Sequence, residues 1–217
     1  MTAQATLDWQ HEIHHAIIAA LPNRDYELIA FNQAKSTESI YANVLHGQRL
    51  FYLRFSWHEN ERSRRFADAS FDLRRYGSHR ELVASLRKNF QQPQFGSIKL
   101  GYWHFVWLAM LEKLGQTGNE PLRFNNNGVL INHQLLSNPA ALHRLRALIN
   151  FGLAIAVHED AYLAISKDGL NLLNHYWDVA DFADSRQWDD NPRIMTIDEL
   201  TWQLNNIKPP VRHAKRH

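Results

Sequence analysis

A two-residue alternation along residues 49–58 is the feature that most constrains how this chain can fold. Large apolar or aromatic side chains occupy every second position from 51 onward, and the positions between them include Arg54, Ser56 and His58. Successive side chains of a β-strand point to opposite faces, so this pattern predicts a half-buried strand with one apolar and one polar face.

The residues around this strand predict a small antiparallel sheet with helices. Stretches 26–34 and 39–46 are rich in β-branched and aromatic residues, which favour strands. Apolar residues at helical spacing predict a helix over 7–21, and a capping box at Ser78 predicts another over 80–90. Segment 61–76 is Arg-rich and reads as a helix or a loop. We therefore expect an α+β fold whose N-terminal domain spans 1–98.

Composition excludes several classes of protein. The chain has 217 residues and no cysteine, which excludes thiolate catalysis, iron–sulfur clusters and cysteine zinc sites. The apolar runs are much shorter than the roughly 20 residues that a membrane span needs, and residues 1–10 lack the pattern of a secretory signal. We expect a cytoplasmic protein with no membrane contact. No catalytic residue, cofactor or metal is assigned.

The second half has a different order of elements. An apolar helix is predicted over 102–114 and a short helix over 129–136. Residues 137–139 read Ser-Asn-Pro, which is typical of a helix start, and the helix that they begin is predicted to stop at Gly152. The pattern then predicts a hairpin of 153–157 with 161–165, a helix after Ser166 and a last helix over 197–206.

This order resembles a winged helix-turn-helix domain. The residues that carry the resemblance run from Ser137 to Gly152-Leu153 and then from Tyr162 to Leu170, and they are similar to the pattern of winged-helix transcription regulators. The resemblance covers roughly 99–178, a little over a third of the chain. It implies three parts: an N-terminal α+β domain over 1–98, a winged-helix-like domain over 99–178, and an acidic segment, short helix and basic tail over 179–217.

In that family the capped helix enters the major groove and the hairpin contacts the DNA backbone or the minor groove. Carried onto this chain, helix 139–151 would present His143, Arg144, Ala147 and Asn150 to the groove, with Arg146 at the boundary. Arginine and asparagine are suitable partners for base edges and phosphates.

The charges of this domain depart from the family pattern. Glu159 and Asp160 stand at the tip of a very short wing, where the family usually has Arg or Lys, and 99–180 holds six basic against six acidic residues. A DNA reader usually carries a basic surface. The domain could instead serve protein–protein contact, as an adaptor or inhibitor.

Region 49–90 is the most basic part of the chain, with ten Arg or Lys against five acids. If its arginines share a surface, they would supply sequence-independent phosphate contacts that depend on salt. The competing interpretation is pairing with neighbouring acids, among them Asp72. The arginines predicted to contact DNA are Arg62, Arg64, Arg65, Arg74 and Arg75.

The polar face of the alternating strand is a second candidate site. Arg54, Ser56 and His58, with Ser36, Ser39 and Tyr41 on the preceding strand or turn, could bind an anion or a nucleotide, with His58 carrying a proton. The simpler interpretation is a solvent-facing side of a half-buried sheet. No carboxylate pair, nucleophile elbow or phosphate loop accompanies these residues, so the chain cannot be assigned an enzyme class.

One zinc motif also occurs. His11, Glu12 and His15 match H-E-x-x-H, but a protease needs a preceding sheet and a third ligand, and residue 11 leaves no room for the sheet. We interpret it as a solvated helix face and assign no metal.

The leading hypothesis is a DNA-binding protein: a winged-helix regulator of transcription, or an accessory factor of a phage or mobile element. Helix 139–151 would dock on double-stranded DNA while 49–90 anchors the backbone, and a homodimer would match two half-sites. The alternatives are a protein-interaction module without DNA contact, and a nucleic-acid-processing enzyme that uses Arg54, Ser56 and His58.

Overall fold

Two five-stranded sheets and six α-helices make up the part of the chain that the structure describes. The structure is a computed structural model, and it describes residues 3–33, 39–57, 68–92, 96–117, 122–125, 128–157, 162–178 and 191–208. The chain divides into two compact units, Met1–Leu100 and Gly101–His217. The expectation of an α+β fold is confirmed.

The first unit is a sheet covered on one face by two helices. Its elements are α1 (Ala3–Ala20), β1 (Tyr26–Gln33), β2 (Ser39–His46), β3 (Arg49–Ser56), β4 (Ala69–Asp72), α2 (His79–Gln91) and β5 (Ser97–Lys99). The strand order is β1-β2-β3-β4, and β5 pairs with the beginning of β3. The three predicted strands and both predicted helices are therefore present.

The alternation in β3 decides which face of this sheet is buried against the helices. Phe51, Leu53 and Phe55 enter a core that also contains Ile13 and Ile17 of α1. The residues between them project to the opposite face, as the two-residue period requires. The apolar stripes of α1 and α2 close this core from one side.

The sheet is mixed rather than antiparallel, because β4 runs parallel to β3. Residues 69–72 form this strand and Leu73–Arg75 a short 3-10 turn after it, in a segment that the sequence predicts as helix or loop. A Cβ at Gly96 would lie only 2.2 Å from the backbone nitrogen of Ala69, and Gly96 has φ +65°. A strand of four residues carries too little periodic pattern to be recognised.

The start of α2 follows its sequence signal closely. The hydroxyl of Ser78 accepts a hydrogen bond from the backbone N–H of Glu81. The Glu81 carboxylate accepts from the N–H of Gly77, one residue before the cap. These bonds satisfy N–H groups that the first turn of a helix cannot pair internally.

The second unit surrounds one apolar helix. Its elements are α3 (Tyr102–Thr117), β6 (Leu122–Asn125), β7 (Gly128–Ile131), β8 (Gln134–Leu136), α4 (Pro139–Asn150), β9 (Ala154–Val157), β10 (Tyr162–Ile165), α5 (Lys167–Asp178) and α6 (Ile197–Asn205). The strand order is β8-β7-β6-β10-β9. Helix α3 packs against α4, α5, α6 and β10.

Helix α3 is buried over 105–111 without interruption, as expected for a helix that is apolar on all sides. Its Trp107 is fully buried and donates its indole N–H to the carbonyl oxygen of Ala141 at 2.9 Å, which joins α3 to α4. The helix continues past Gly115 to Thr117, so the predicted end at residue 114 was wrong. Glycine weakens a helix but does not end it where tertiary packing holds both sides.

The prediction of a short helix over 129–136 was wrong, because this segment forms the β7–β8 hairpin. Its turn consists of Asn132 and His133, both with positive φ (45° and 64°). Two successive left-handed residues give the tight turn that matches the twist of a hairpin, and Asn and His adopt this conformation more readily than most residues. Three strands thus lie between α3 and α4.

The junction between α4 and the following hairpin has the form that the sequence predicts. Asn138 caps α4 with its side-chain oxygen, and Gly152 ends it with φ +70°. The hydroxyl of Ser166 donates to the carbonyl of Gly152 at 2.7 Å and accepts the N–H of Gly169 at 2.9 Å. Ser166 therefore ties the end of α4 to the first turn of α5.

Within the described ranges, no helix combines the length and the apolar character that crossing a membrane would need.

Candidate functional site

The outward face of α4 is the first candidate site. Its exposed side chains include His143, Arg146 and Asn150, while Leu142 and Leu145 face the core. Positions 143, 146 and 150 follow helical spacing, so their side chains lie along one face. The whole helix contains two arginines, one histidine and no acidic residue. This face therefore offers hydrogen-bond donors and positive charge.

The structure exchanges the roles that the sequence predicts for the two arginines of α4. Arg144 is half-buried and donates from Nη1 to the carbonyl oxygen of Ala140 at 2.7 Å. Burial lowers the pKa of its guanidinium. Arg146, predicted at the boundary, is exposed and lies between His143 and Asn150 on the outward face. A difference of two residues rotates a side chain by about 200° around a helix, so small errors in the helical phase move a residue to another face.

Sequence reasoning missed His104, which lies at the beginning of α3. Its side chain is 8% exposed, and its Nδ1 accepts the backbone N–H of Gly101 at 3.0 Å. Burial lowers its pKa to about 4, and the positive charge of Arg144 acts in the same direction. A polar residue three positions after Gly101, at the third position of a helix, is the one signal that could have identified it.

The sheet next to α4 carries a further cation that sequence reasoning did not select. Arg123 of β6 is exposed and pairs in register with Tyr162 of β10. Its guanidinium carbon lies 5.5 Å from the centre of the Tyr162 ring. Glu159 and Asp160, the predicted tip of the wing, lie outside the described residues.

The arginines that follow β4 are paired with an acid. Arg74 donates from Nε and Nη2 to the two carboxylate oxygens of Asp72, at 2.9 and 2.8 Å, and Arg75 lies 3.4 Å from the same carboxylate. The hydrogen bonds from Arg74 lower the pKa of Asp72 to about 2. Two positive charges therefore share one negative charge, which reduces what these residues offer to a phosphate.

The outward side of α2 carries basic residues that remain exposed. Arg80, Arg87 and Lys88 lie on this side, and Arg87 also donates to the carbonyl of Ala19 at the end of α1. Arg62, Arg64 and Arg65, the other arginines predicted to contact DNA, lie outside the described residues.

The predicted anion site is brought together in part. Arg54 of β3 pairs in register with Tyr41 of β2, and Ser56 pairs with Ser39. Arg54 is only 6% exposed, and its Nε and Nη2 donate to the hydroxyl of Ser39 at 3.3 and 3.0 Å. This face of the sheet is therefore buried at Arg54, whereas the simpler interpretation expected a solvent-facing side. Two other residues predicted for this site, Ser36 and His58, lie outside the described residues.

The H-E-x-x-H motif forms an exposed histidine pair. The rings of His11 and His15 lie on the same side of α1, with their centres 4.2 Å apart. Among the residues that the structure describes, no group of three or more His, Cys, Asp or Glu could hold a metal ion.

A comparison with protein-family models, with curated proteins and with solved structures finds no match to this chain.

Proposed function

We propose that this protein binds double-stranded DNA through the outward face of α4, as a winged-helix-like regulator or as an accessory factor of a phage or mobile element. The observation that carries the proposal is the exposure of His143, Arg146 and Asn150 along one face of a helix without acids. The opposite face of this helix belongs to the core, so the donors are held on a rigid element. Such a helix fits the major groove of B-form DNA.

The surroundings of α4 add support. The capped start, the left-handed Gly152 and the β9–β10 hairpin follow the order that the resemblance to winged helices implies. The hairpin in place of the predicted helix over 129–136 is the difference from that order, so the proposal rests on α4 and the elements after it. Backbone contacts would come from region 49–90, where Arg80, Arg87 and Lys88 are exposed on α2.

The test is fluorescence anisotropy of the full chain with mixed-sequence duplex DNA over a salt series. We expect Arg146→Gln to weaken binding and Asn150→Ala to weaken it on preferred sequences only. If Arg146 contacts a phosphate, its loss lowers the salt slope by about 1. Arg24→Gln is the matched control, because Arg24 is exposed in a turn of the first unit. Absence of binding at about 50 mM salt, or binding that salt does not change, would contradict the proposal.

A second candidate function, a protein-interaction module, is favoured by a groove beside α6. Ile194 and Trp202 are 81% and 67% exposed there, and Asp198 and Glu199 flank them in a groove of about 700 Å³. The backbone hydrogen bond from Thr196 lowers the pKa of Glu199 and keeps it ionised. Exposed Trp is typical of interface hot spots. An apolar anchor flanked by Lys or Arg is the partner chemistry that fits.

This candidate is tested with a synthetic amphipathic helix of Leu and Lys and, for comparison, one of Leu and Glu. Binding of the Leu/Lys peptide alone, weakened by Ile194→Ser but not by Ile155→Ser, supports it; Ile155 is an exposed isoleucine on β9. Equal binding of both peptides, or equal effects of the two substitutions, contradicts it.

A further inference from the structure

Arg54 lies in the middle of the first sheet, on the face opposite the helix-covered core. Its strand β3 has β2 on one side and β4 on the other. Phe55, the next residue, enters the core, so the two-residue period directs Arg54 to the second face. Its side chain is nevertheless buried, with 6% of the residue exposed.

The positive charge of Arg54 has no direct counter-charge among the described residues. Its two hydrogen bonds both go to the hydroxyl of Ser39, and its guanidinium carbon lies 5.8 Å from the centre of the Tyr41 ring. No carboxylate of the described residues lies within 4.0 Å, the distance of an ion pair. A buried charge without a partner is costly, and proteins usually pair such a charge. Arg74, in the 3-10 turn that follows β4, does have such a partner, since it donates two hydrogen bonds to the carboxylate of Asp72.

Asp68 is a negative group that interacts electrostatically with Arg54, and its carboxylate accepts a hydrogen bond from another residue. Its Oδ1 accepts the hydroxyl of Ser70 at 2.8 Å, and the residue is 8% exposed. Burial raises the pKa of Asp68, although Ser70 and Arg54 act in the opposite direction. The two buried groups therefore influence each other without contact.

The groups around Arg54 are mainly donors. The oxygen of Ser39 accepts from Arg54 and leaves its O–H proton to donate. Burial raises the pKa of Tyr41, so its hydroxyl stays protonated. Nη1 of Arg54 makes no hydrogen bond to a described residue. Arginine binds phosphate and carboxylate oxygens through such parallel N–H groups.

We propose that Arg54, with Ser39 and Tyr41, binds the phosphate group of a small molecule. The phosphate would supply a counter-charge that no described residue gives Arg54 by direct contact, and it would accept hydrogen bonds from Nη1 of Arg54 and from the hydroxyls of Ser39 and Tyr41. Because Arg54 is buried, the ligand is a small molecule and not the backbone of a DNA duplex. The site is thus separate from the α4 face, and the failure of either proposal leaves the other standing.

The test is thermal unfolding of the full chain at constant ionic strength with inorganic phosphate, AMP or adenosine. A ligand that binds only the folded state raises Tm with the logarithm of its concentration. We expect phosphate and AMP to raise Tm, and adenosine to leave it unchanged. No rise with phosphate or AMP up to about 10 mM, or an equal rise with adenosine, would overturn the proposal.

Two pairs of variants assign the effect to Arg54. Arg54→Met is expected to abolish the rise, whereas Arg24→Met, at an exposed arginine of the same unit, retains it. Since Arg54→Met could fail to fold, Ser39→Ala and Tyr41→Phe keep the charge and are expected to weaken phosphate binding severalfold, with a loss of about 10-fold for the pair. If Arg24→Met abolishes the rise, or if Ser39→Ala and Tyr41→Phe leave the affinity unchanged, the assignment is wrong.

Discussion

Replacement of His104 by Asn should reduce the acid sensitivity of the second unit. His104 is buried at the start of α3, and its Nδ1 accepts the N–H of Gly101. The Oδ1 of Asn can accept the same N–H group but does not titrate near neutral pH. Protonation of Nδ1 would break this hydrogen bond and place a positive charge at a helix N-terminus, where cations are unfavourable.

The size of the stability loss in acid follows from the pKa of His104. Burial lowers the pKa from 6.5 to about 4 in the folded state. The unfolded chain therefore binds more protons between these two values, and stability falls as the pH falls from about 6.5 to about 4. Each pKa unit corresponds to about 1.4 kcal/mol, so His104 accounts for a loss of about 3 kcal/mol across this range.

The assay is urea unfolding at a series of pH values, with hydrogen exchange of the α3 amides as the local measurement. We expect His104→Asn to cost some stability at pH 7 and to lose about 3 kcal/mol less than the parent between pH 7 and pH 4. His133→Asn is the matched control, because His133 is exposed in the same unit and its positive φ suits Asn. Equal pH dependence in His104→Asn and the parent protein would refute the reasoning.

Three further substitutions test contacts inside the second unit, all by urea unfolding. Gly169→Ala should destabilise this unit by about 1–3 kcal/mol or more, because the new Cβ would lie 2.1 Å from the carbonyl oxygen of Leu153. Gly115→Ala should stabilise the unit by about 0.5–1 kcal/mol, because a Cβ at this helical position meets no atom within 4 Å. A stabilising Gly169→Ala together with a destabilising Gly115→Ala would contradict the packing. Glu112→Gln should lower the free energy of unfolding by about 1.5–3 kcal/mol, because the half-buried Arg193 donates to both carboxylate oxygens of Glu112. A loss below about 0.5 kcal/mol would contradict this expectation and would mean that solvent stabilises the charge of Arg193 instead.

Local signals were sufficient for the elements whose pattern is long or whose ends are capped. The alternation of β3, the Ser78 start of α2 and the stop of α4 at Gly152 act within a few residues, and each is present in the structure. The α+β fold and the face of β3 that enters the core follow from them. The exposure of Asn150 on α4 could also be predicted, because a helical period extends over the whole helix.

Long-range contacts decided the rest. Strand β4 exists because β3 offers an open edge to residues that follow later in the chain, and Arg54 becomes buried on a face whose own pattern predicts solvent exposure. Arg144 of α4 lies near His104 of α3, and this neighbour, which is far away in the sequence, does not appear in the local pattern. The sequence by itself determined which segments form strands and helices, whereas the tertiary structure decided which charges are buried, because burial depends on what packs over a side chain and not on the residues beside it.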